Sequence, residues 1–569
     1  MSAFIFFGWH IQSVFSQNYD NTYFISPLNI PHNFSGSFGE LRANHFHSGL
    51  DFKANMHTPV LAVADGFVSR IKVSPWGYGY ALYLTHPNGY VSQYGHLEQY
   101  NKIIANFVKQ QQYKLKNFTL DIAIDSSVLK VKQGDTIAFS GNSGSSGGPH
   151  LHFEIRDEKT EETINPLLFG IKTLDNENPE FSMLKIYPAD IYSTVNGENI
   201  PINRKIINTS ITEPCKILDT INVSGNAYFG IECYDRQFKN SNKNGIYKMQ
   251  ISINNQEVYN YSIDKLSFSN TRHLNDHIDF AEYIRTKKAF QTTKTSPGNK
   301  LSIYNRVKRD GCFYFKPDSL YSIHYIITDF VGNKKDLLFT VKGAKPNFDN
   351  EIIPVTNRNI VDTLDYETDN IYRTNNFEVE FPIGTLMDRL FLEFQILDKN
   401  KNCFSKTYSI QNYETPLYDY LNIKIKPDTI ADSSLFSKLL MVYINKTGAY
   451  NAIQSKLDGE YIVAKYRSFG KFTLKIDTIA PVITPINVSN KKNVKKQKNI
   501  RFMISDNLSG VESFDAYLNQ EWVLVSFDGK SSMLQYDFDE HLKSGENLFQ
   551  LIVKDAKGNV CIYSASIFY

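Results

Sequence analysis

The chain has 569 residues, enough for about three to five domains, and its 42% hydrophobic content supports well-packed cores. A net charge of +2 without a basic stripe argues against a nucleic-acid-binding protein. The aromatic content of 14%, mostly Tyr and Phe, favours a β-rich fold.

The chain begins with an apolar segment at residues 4–9, followed by Val14, Phe15 and Ser16, which form an acceptable cleavage pattern. The segment lacks the expected Lys or Arg near its start, so the signal is atypical or the true start lies upstream. We expect residues 1–17 to be a signal peptide. No later run approaches the length of a membrane span, so we expect an exported protein of the periplasm or cell envelope. The alternative is a cytosolic protein with a hydrophobic first segment.

Residues 47–51 read His-Ser-Gly-Leu-Asp. A helix would bring His47 and Asp51 together at i, i+4 spacing, but Gly49 and the residues that follow argue against a helix. A fully extended strand would separate the two residues by about 13 Å, which is too far for a shared metal ion. The chain must therefore bend between them, and Gly49 can adopt backbone conformations that other residues avoid.

An insertion follows the Tyr-Gly-His sequence that ends at His96. Between His96 and Val131 lie 34 residues, and apolar residues recur at helical spacing within residues 98–116. This pattern predicts an amphipathic helix, followed by a short strand-like run at 118–124. The insertion, residues 98–126, is either decorative or stands at a wall of the groove beside His96.

His150-Leu151-His152 opens a run of alternating apolar residues that predicts a strand. On a strand the two histidines share a face, about 6.6–7 Å apart, so one can hold a metal while the other reaches a water. The Gly-rich run at 141–148 lacks the ending of a phosphate-binding loop and leads into a strand, so it is interpreted as a flexible groove wall. Catalytic zinc sites use three protein ligands and leave one position to water, and these residues therefore predict a zinc hydrolase.

These segments closely resemble the lysostaphin/LytM family of zinc endopeptidases, which has the duplicated hybrid motif fold. The family pattern is His-x-x-x-Asp, Tyr-x-His and a Gly-rich loop that ends in Gly-Pro-His-x-His. The resemblance extends from about residue 35 to 169. Its segments are residues 46–51, 59–66, 77–79, 93–97, 131–135 and 147–154.

The resemblance implies a small antiparallel β-sheet domain with an open groove, one Zn²⁺ ion, and cleavage of peptides in peptidoglycan stems or cross-bridges. It implies that His47, Asp51 and His152 bind the metal and that His96 and His150 are catalytic. Which histidine takes the proton stays open. The family commonly has a much shorter connection after its Tyr-x-His.

The rest of the chain predicts a mainly β protein, with tandem immunoglobulin-like β-sandwich modules after the peptidase domain. Three segments at 175–179, 234–247 and 328–334 resemble 477–481, 505–511 and 554–559. The expected domains are a LytM-like peptidase at 18–172, a sandwich with an insertion near 267–301 at 173–345, a β-rich module at 346–476 and a second sandwich at 477–569.

Asp and Asn residues recur at the turns of both sandwiches and could bind calcium, although a role in the turns themselves is favoured. The five cysteines are scattered and odd in number, so at least one stays unpaired. Cys233 and Cys312 are the best candidates for a disulfide, with buried free thiols as the alternative. His273 and His277 have i, i+4 spacing, but the residues between them suggest a polar turn.

The leading function is an exported zinc endopeptidase that acts on peptidoglycan and has no nucleic-acid partner. One alternative is a non-catalytic wall-binding regulator of other hydrolases, but such a protein would lack site residues, and here none is missing. Another is a surface glycan-binding protein, and the sandwiches also offer surfaces for envelope proteins. We expect the downstream modules to be non-catalytic and a fragment ending near Ile171 to bind zinc and cleave.

Overall fold

The computed structural model describes residues 19–208, 213–239, 241–345, 359–428 and 432–569. The protein is mainly β, with 47% strand and 8% helix, as the sequence predicts. The expected signal peptide at 1–17 lies outside the described residues. Among the residues described, no helix is both long enough and apolar enough to cross a bilayer.

The first part of the chain forms an antiparallel sheet in the order β1-β4-β12-β8-β7-β6-β10, with shorter strands at its edges. Its one α-helix is α1 (Lys102–Leu115), and a 3₁₀ helix follows at Pro166–Phe169. The strands are β1 (Phe34–Gly36), β2 (Leu41–Arg42), β3 (His45–Phe46), β4 (Leu50–Lys53), β5 (Pro59–Leu61), β6 (Gly66–Val73), β7 (Tyr80–Thr85), β8 (Tyr90–Tyr100), β9 (Leu120–Ala123), β10 (Lys130–Val131), β11 (Thr136–Ser140), β12 (His150–Asp157) and β13 (Thr163–Ile164).

Strand β12 lies at the centre of this sheet, between β4 and β8. Six of its eight residues are buried: Leu151, Phe153 and Ile155 make one face apolar, and the opposite face carries the polar side chains of His152, Glu154 and Arg156. The register pairs His152 with Asp51 on one side and with Gly95 on the other. The sheet therefore brings three distant sequence motifs to one place.

The second part is built around the long strand β18, which joins two sets of strands into one sheet in the order β16-β14-β18-β26-β25-β19-β20-β23. Its short helices are α2 (Leu274–His277) and α3 (Phe280–Thr286), with 3₁₀ turns at Thr271–His273 and Arg309–Gly311. The strands are β14 (Glu180–Pro188), β15 (Thr194–Val195), β16 (Ile202–Lys205), β17 (Cys215–Lys216), β18 (Ile221–Tyr234), β19 (Lys248–Ile253), β20 (Gln256–Ser262), β21 (Lys265–Leu266), β22 (Gln291–Thr292), β23 (Tyr304–Val307), β24 (Phe313–Phe315), β25 (Leu320–Thr328) and β26 (Lys334–Gly343).

The first two parts share one hydrophobic core. Strand β21 pairs with β13 of the first sheet, and the buried apolar residues of both parts form one cluster. The expected polar turn at His273 and His277 is wrong, because both side chains are buried in short helices. The ring of His273 packs on Tyr418 and that of His277 on Tyr261, and the polar residues between the two histidines do not indicate these tertiary contacts.

The third part consists of a six-stranded and a five-stranded sheet that share a single core. Phe377 of one sheet contacts Tyr408 of the other, with ring centroids 4.7 Å apart. A 3₁₀ helix lies at Ser433–Lys438. The strands are β27 (Ile360–Leu364), β28 (Asn370–Thr374), β29 (Phe377–Phe381), β30 (Leu390–Leu397), β31 (Thr407–Ile410), β32 (Leu421–Ile425), β33 (Leu439–Ile444), β34 (Tyr450–Ile453), β35 (Ser455–Asp458), β36 (Tyr461–Tyr466) and β37 (Gly470–Ile476).

The last part packs a four-stranded sheet on a five-stranded sheet. Phe502 and Phe549 stack across the interface, with ring centroids 5.4 Å apart. The strands are β38 (Val482–Pro485), β39 (Lys492–Asn493), β40 (Asn499–Ser505), β41 (Val511–Leu518), β42 (Glu521–Val523), β43 (Ser526–Asp528), β44 (Met533–Asp537), β45 (Glu546–Asp555) and β46 (Val560–Phe568). An immunoglobulin-like topology for these modules stays a prediction.

All five cysteines are free thiols, so Cys233 and Cys312, the best candidates for a disulfide, are not paired. Cys233 lies in β18 and its pKa is raised by burial, while Cys312 lies before β24. The alternative of free thiols therefore holds, and two of the five, Cys215 and Cys403, are buried.

The last part of the chain contacts the first part. The ring of Tyr113 in α1 stacks on His541, with centroids 5.1 Å apart, and its hydroxyl donates to Asp539 at 2.5 Å. Lys530 donates to the backbone carbonyls of Asn142 and, at 3.2 Å, of Ser146. The Gly-rich loop before β12 is therefore held by a residue near the other end of the chain.

Candidate metal centre

Three buried side chains form a triangle of donor atoms. His47 Nε2 lies 3.0 Å from His152 Nδ1 and 3.1 Å from Asp51 Oδ1, and His152 Nδ1 lies 2.7 Å from Asp51 Oδ1. All three residues are less than 5% exposed. Two imidazole nitrogens and a carboxylate oxygen are a common donor set for catalytic zinc, and atoms about 2.0–2.2 Å from one ion lie near each other at such distances.

The chain bends between His47 and Asp51 as expected, but the reason that glycine occupies position 49 is not the expected one. Gly49 does not have a left-handed backbone. Instead, a Cβ atom at this position would lie 2.4 Å from the carbonyl oxygen of Phe153. Glycine is therefore needed here because the loop passes directly against strand β12.

Each member of the triangle is oriented by a further hydrogen bond. His47 Nδ1 donates to the carbonyl of Ser37 at 2.8 Å, and His152 Nε2 donates to Glu154 Oε1 at 2.9 Å. Arg42 Nη2 donates to Asp51 Oδ2 at 2.6 Å. These bonds leave one nitrogen of each imidazole free to bind a metal, since its other nitrogen carries the proton.

Among the residues that hydrogen-bond to the triangle, Glu154 could have been identified from its position in the sequence. It follows His152 by two positions on the same face of β12 and is fully buried. Tyr78 and Ser48 each donate to its Oε1 at 2.6 Å, and Arg156 pairs with its Oε2. Burial raises the pKa of Glu154, but Arg156 and the hydrogen bonds outweigh burial and hold this pKa well below its usual range.

The electrostatics of the triangle favour a bound cation. Burial lowers the pKa of His47 to about 4, against the opposing effect of Asp51, so this imidazole is neutral at neutral pH. Burial also lowers the pKa of His152, but Asp51 and Glu154 reverse this and raise it to about 9. The two carboxylates beside the His152 imidazole give the site a negative potential, which a divalent cation neutralises.

His96 and His150 lie next to the triangle, with ring centroids 4.7 Å apart. His96 Nδ1 donates to the carbonyl of Ser143 at 2.9 Å, and His150 Nδ1 donates to the carbonyl of Gly148 at 2.8 Å. The pKa of His96 is lowered to about 3 by burial and by the two neighbouring histidines. His96 therefore has Nε2 left for substrate or water, whereas His150 Nε2 lies 3.4 Å from Asp51 Oδ1, at the edge of the triangle.

His96 has a left-handed backbone with φ of 57°, which is uncommon for a residue other than glycine. Its backbone N–H donates to the carbonyl of Tyr78 at 2.8 Å. This conformation places the ring at the boundary of two cavities, of about 730 and 510 Å³. A residue held in a rare conformation at such a place is typical of a functional site.

All five residues that the sequence selected come together in the structure. Asp51, His96 and His150 line the larger cavity, and His47, His96 and His152 line the smaller one. His45 also lines the smaller cavity, whereas His57 is exposed and pairs with Glu98. No residue of α1 lines either of these two cavities, so the helix is present but does not form the groove wall.

Sequence reasoning missed Arg42 and the carbonyl of Ser37. Neither has a fixed spacing from the residue that it contacts, because both reach the site through the fold of the loop between β1 and β4. Tyr78 was noted only as part of the family motif, although its hydroxyl is bonded to Glu154.

Comparisons with known proteins find similarity to peptidases over the segment that holds this site. The model of peptidase family M23 matches residues 45–113 and 123–166, and a Zu5-like domain matches residues 361–477. The DD-carboxypeptidase/endopeptidase Mpg of Neisseria meningitidis serogroup B is 32% identical over 127 residues, or 22% of this chain and 23% of that protein. The peptidoglycan DD-endopeptidase ShyC of Vibrio cholerae is 31% identical over 117 residues, or 21% of each.

Among solved structures, the catalytic domain of lysostaphin from Staphylococcus simulans is 25% identical, with a TM-score of 0.19. The similarity covers 24% of this chain and 91% of that domain. The chain thus spans only about a quarter of the length of the curated relatives that it matches.

Proposed function

We propose that this chain is a zinc-dependent endopeptidase of peptidase family M23 that hydrolyses peptide bonds in the stems or cross-bridges of peptidoglycan. The observation that carries the proposal is the buried triangle of His47, Asp51 and His152, with the paired imidazoles of His96 and His150 beside it in an open cavity. The names of the matched relatives support peptidoglycan as the substrate.

In this proposal His47, Asp51 and His152 hold the zinc ion. When bound, zinc supplies Lewis acidity that polarises a carbonyl and makes a water molecule more acidic. Ser37, Glu154 and Arg42 orient the three ligands through the hydrogen bonds described above.

His96 and His150 act on the proton and on the substrate. Because the Nδ1 atom of each donates to a backbone carbonyl, Nε2 is the nitrogen of each ring that can accept a proton. One of the pair takes the proton of the attacking water at Nε2 and returns it to the nitrogen of the leaving amine. The other holds the substrate by a hydrogen bond.

The proposal extends to the organisation of the whole chain. Residues 18–172 form the peptidase domain, 98–126 its insertion, and 173–345, 346–476 and 477–569 three non-catalytic β modules. The substrate lies outside the inner membrane, so the proposal requires export, which the apolar segment at 1–17 supports. A purely regulatory role is disfavoured because all five site residues are in place.

The division of roles is tested by five single alanine variants. His47→Ala, Asp51→Ala and His152→Ala should lose zinc and abolish cleavage. His96→Ala and His150→Ala should retain zinc but lose about 10²–10⁴ in rate, the usual contribution of an acid–base group. Zinc is measured by mass spectrometry, and the released fragments of purified peptidoglycan identify the bond that is cleaved.

His57→Ala is the matched control, because His57 is exposed and lies outside the triangle. It should retain zinc and full activity. Loss of zinc from His150→Ala, with retention by His152→Ala, would reverse the assignment of the two histidines.

A further inference from the structure

A second group of carboxylates lies where the first sandwich meets the peptidase domain. Asp175 precedes β14, Asp235 follows β18 and Asp329 follows β25, and oxygen atoms of the three lie within 4.8 Å of one another. Asp235 and Asp329 are buried, at 6% and 3% exposure. None of the three carboxylates forms an ion pair with a Lys, Arg or His of the described residues.

An independent observation shows that this group needs a ligand. Asn244 is 5% exposed, and its side-chain oxygen has no hydrogen-bond donor among the described residues; the same is true of Asp235 Oδ1. The two backbones are bridged to each other, and both side chains line a cavity of about 50 Å³ together with Asp175 and Asp329. Buried oxygens without a donor are costly, so their presence points to a cation.

The charge of the group is also uncompensated. Burial raises the pKa of Asp175 to about 7 and that of Asp235 to about 8, and the neighbouring carboxylates add to both shifts. Burial likewise raises the pKa of Asp329, although four hydrogen-bond contributions oppose it. Carboxylates that resist ionisation in this way become fully charged when a divalent cation binds.

The last sandwich repeats this arrangement with one informative difference. Its carboxylates are Asp477, Asp506 and Asp555, again within 4.8 Å of one another. Asn559 Nδ2 donates to the backbone carbonyl of Asp477 and to Asp555 Oδ2, just as Asn333 Nδ2 donates to the backbone carbonyl of Asp175 and to Asp329 Oδ2. The two groups are therefore equivalent positions of a repeated module.

The difference is a lysine. Lys557 follows Asp555 by two positions, and Val331 follows Asp329 by two positions. Lys557 Nζ donates to the backbone carbonyl of Ser455 at 3.4 Å. Burial lowers the pKa of Lys557, while the neighbouring Asp477 and Asp555 raise it, so a positive charge lies near these carboxylates. The last sandwich thus carries its own positive charge, whereas Val331 gives the first sandwich none.

We propose that Asp175, Asp235, Asp329 and the amide oxygen of Asn244 bind one Ca²⁺ ion at the junction of the first sandwich and the peptidase domain. The donors are all oxygens, which is the set that Ca²⁺ prefers over zinc or copper. Six to eight oxygens surround Ca²⁺ in proteins, and carbonyls and water complete the set beyond these four residues.

The position of the ion gives it a structural role. Phe34, Ser37 and Phe38 of the peptidase domain form the other wall of the cavity. Gly245 N donates to Ser37 Oγ, and the carbonyl of Ser37 accepts the hydrogen bond of His47. Calcium therefore stiffens the segment that orients one residue of the zinc triangle.

The experiment uses the full chain, freed of metal on a chelating resin and reloaded with one equivalent of zinc, which is verified by mass spectrometry. Calorimetric titration with CaCl₂ should show one Ca²⁺ bound per chain, and thermal unfolding should move to higher temperature. MgCl₂ should bind at least about tenfold more weakly, since Mg²⁺ gives up its water reluctantly. Absence of calcium binding, or equal binding of magnesium, would overturn the proposal.

Exchange of the lysine gives a matched pair of variants. Val331→Lys should abolish calcium binding and make the unfolding temperature independent of calcium, and Val331 is 44% exposed, so a lysine fits there without disturbing the core. Lys557→Val should add a second calcium per chain. Asp235→Asn should weaken the first site at least about tenfold, while Asp506→Asn leaves it unchanged. Calcium binding that survives both Val331→Lys and Asp235→Asn would place the ion elsewhere.

Discussion

The two histidines of the triangle use different nitrogens, His47 its Nε2 and His152 its Nδ1. The choice is made by the hydrogen bond on the opposite side of each ring, a backbone carbonyl for His47 and a carboxylate for His152. A carboxylate makes an imidazole more basic and therefore a stronger metal ligand. The metal affinity of the centre should depend on Glu154 in particular.

Glu154→Gln should lower zinc affinity about 10–100-fold, because the neutral amide lacks the negative charge that makes His152 more basic and a stronger ligand. Zinc affinity is measured by competition with a chelator of known affinity, and thermal unfolding reports separately on the lost pairing with Arg156. The control is Ser48→Ala, which removes a different hydrogen bond to the same Glu154 oxygen and should change zinc affinity far less. Equal effects of both variants would contradict this role.

The five site residues could be predicted from the sequence because their spacing repeats a known pattern and strand periodicity places i and i+2 on one face. Arg42 and Ser37 could not, since their contacts depend on the path of a loop. Gly49 shows what sequence alone cannot predict at a single residue. The need for glycine was predictable, but its reason is contact with Phe153, which only the packed structure contains.

At the scale of elements, the insertion of the first sandwich buries a histidine that the sequence places in a polar turn. His277 is fully buried, with Nδ1 3.0 Å from the hydroxyl of Tyr304 and Nε2 3.2 Å from Gln291 Oε1. Burial lowers its pKa to about 4, and the hydrogen bond to Gln291 opposes this only in part. The neutral ring stabilises the fold above the unfolded pKa of about 6.5, and this contribution is lost as the pH falls toward 4.

His277→Gln should therefore make stability less sensitive to acid. Between about pH 7.5 and about pH 5, the wild type should lose about 2 kcal/mol more than the variant in free energy of unfolding, because unfolding lets His277 take up a proton. Denaturant unfolding at the two pH values measures the difference. His57→Gln, at an exposed histidine, serves as the comparison for loss of an imidazole at the surface. An unchanged pH dependence in His277→Gln would contradict the burial argument.

The insertion after His96 shows what periodicity can and cannot predict. The helical spacing predicted α1, which runs from Lys102 to Leu115. Its partner could not be predicted, because Tyr113 contacts Asp539, 426 positions away in the sequence. Helix α1 serves as a docking site for the last sandwich.

A double-mutant cycle tests this docking. Tyr113→Phe and Asp539→Asn should each destabilise the chain, and their combination should show a coupling of about 1–3 kcal/mol, since the hydrogen bond joins a hydroxyl to a carboxylate. Thermal or denaturant unfolding gives the four free energies. The control cycle pairs Tyr113→Phe with Asp506→Asn, whose carboxylate accepts from the backbone N–H groups of Leu508 and Gly510 instead, and should be additive. Additivity in the first cycle would show that the contact contributes nothing.

At the scale of the molecule, the peptidase domain and the first sandwich make extensive contact across the boundary at residue 172. Phe34 N donates to Gln237 and Phe46 N donates to Thr271, in addition to the pairing of β13 with β21. The sequence alone favours a fragment ending near Ile171, because the motifs end there. The shared core favours a longer fragment that includes the first sandwich.

A fragment ending at Lys345 should be soluble, bind zinc and cleave peptidoglycan, whereas one ending at Ile171 should aggregate, because apolar surface of the common core becomes exposed. Size-exclusion chromatography and zinc analysis of the two fragments distinguish these outcomes. A monomeric, zinc-loaded fragment ending at Ile171 would show that the peptidase domain folds alone.

The contact of Lys530 with the loop before β12 also sets an order of assembly. Lys530 lies 388 positions after Asn142, and a ribosome adds about 5–20 residues per second, so roughly 20–80 s of synthesis separate the two. During that time the nascent chain contains all five site histidine and aspartate residues, but the loop that carries Gly148 lacks its lysine. The peptidase therefore acquires its final loop geometry only when translation has nearly reached the last strand.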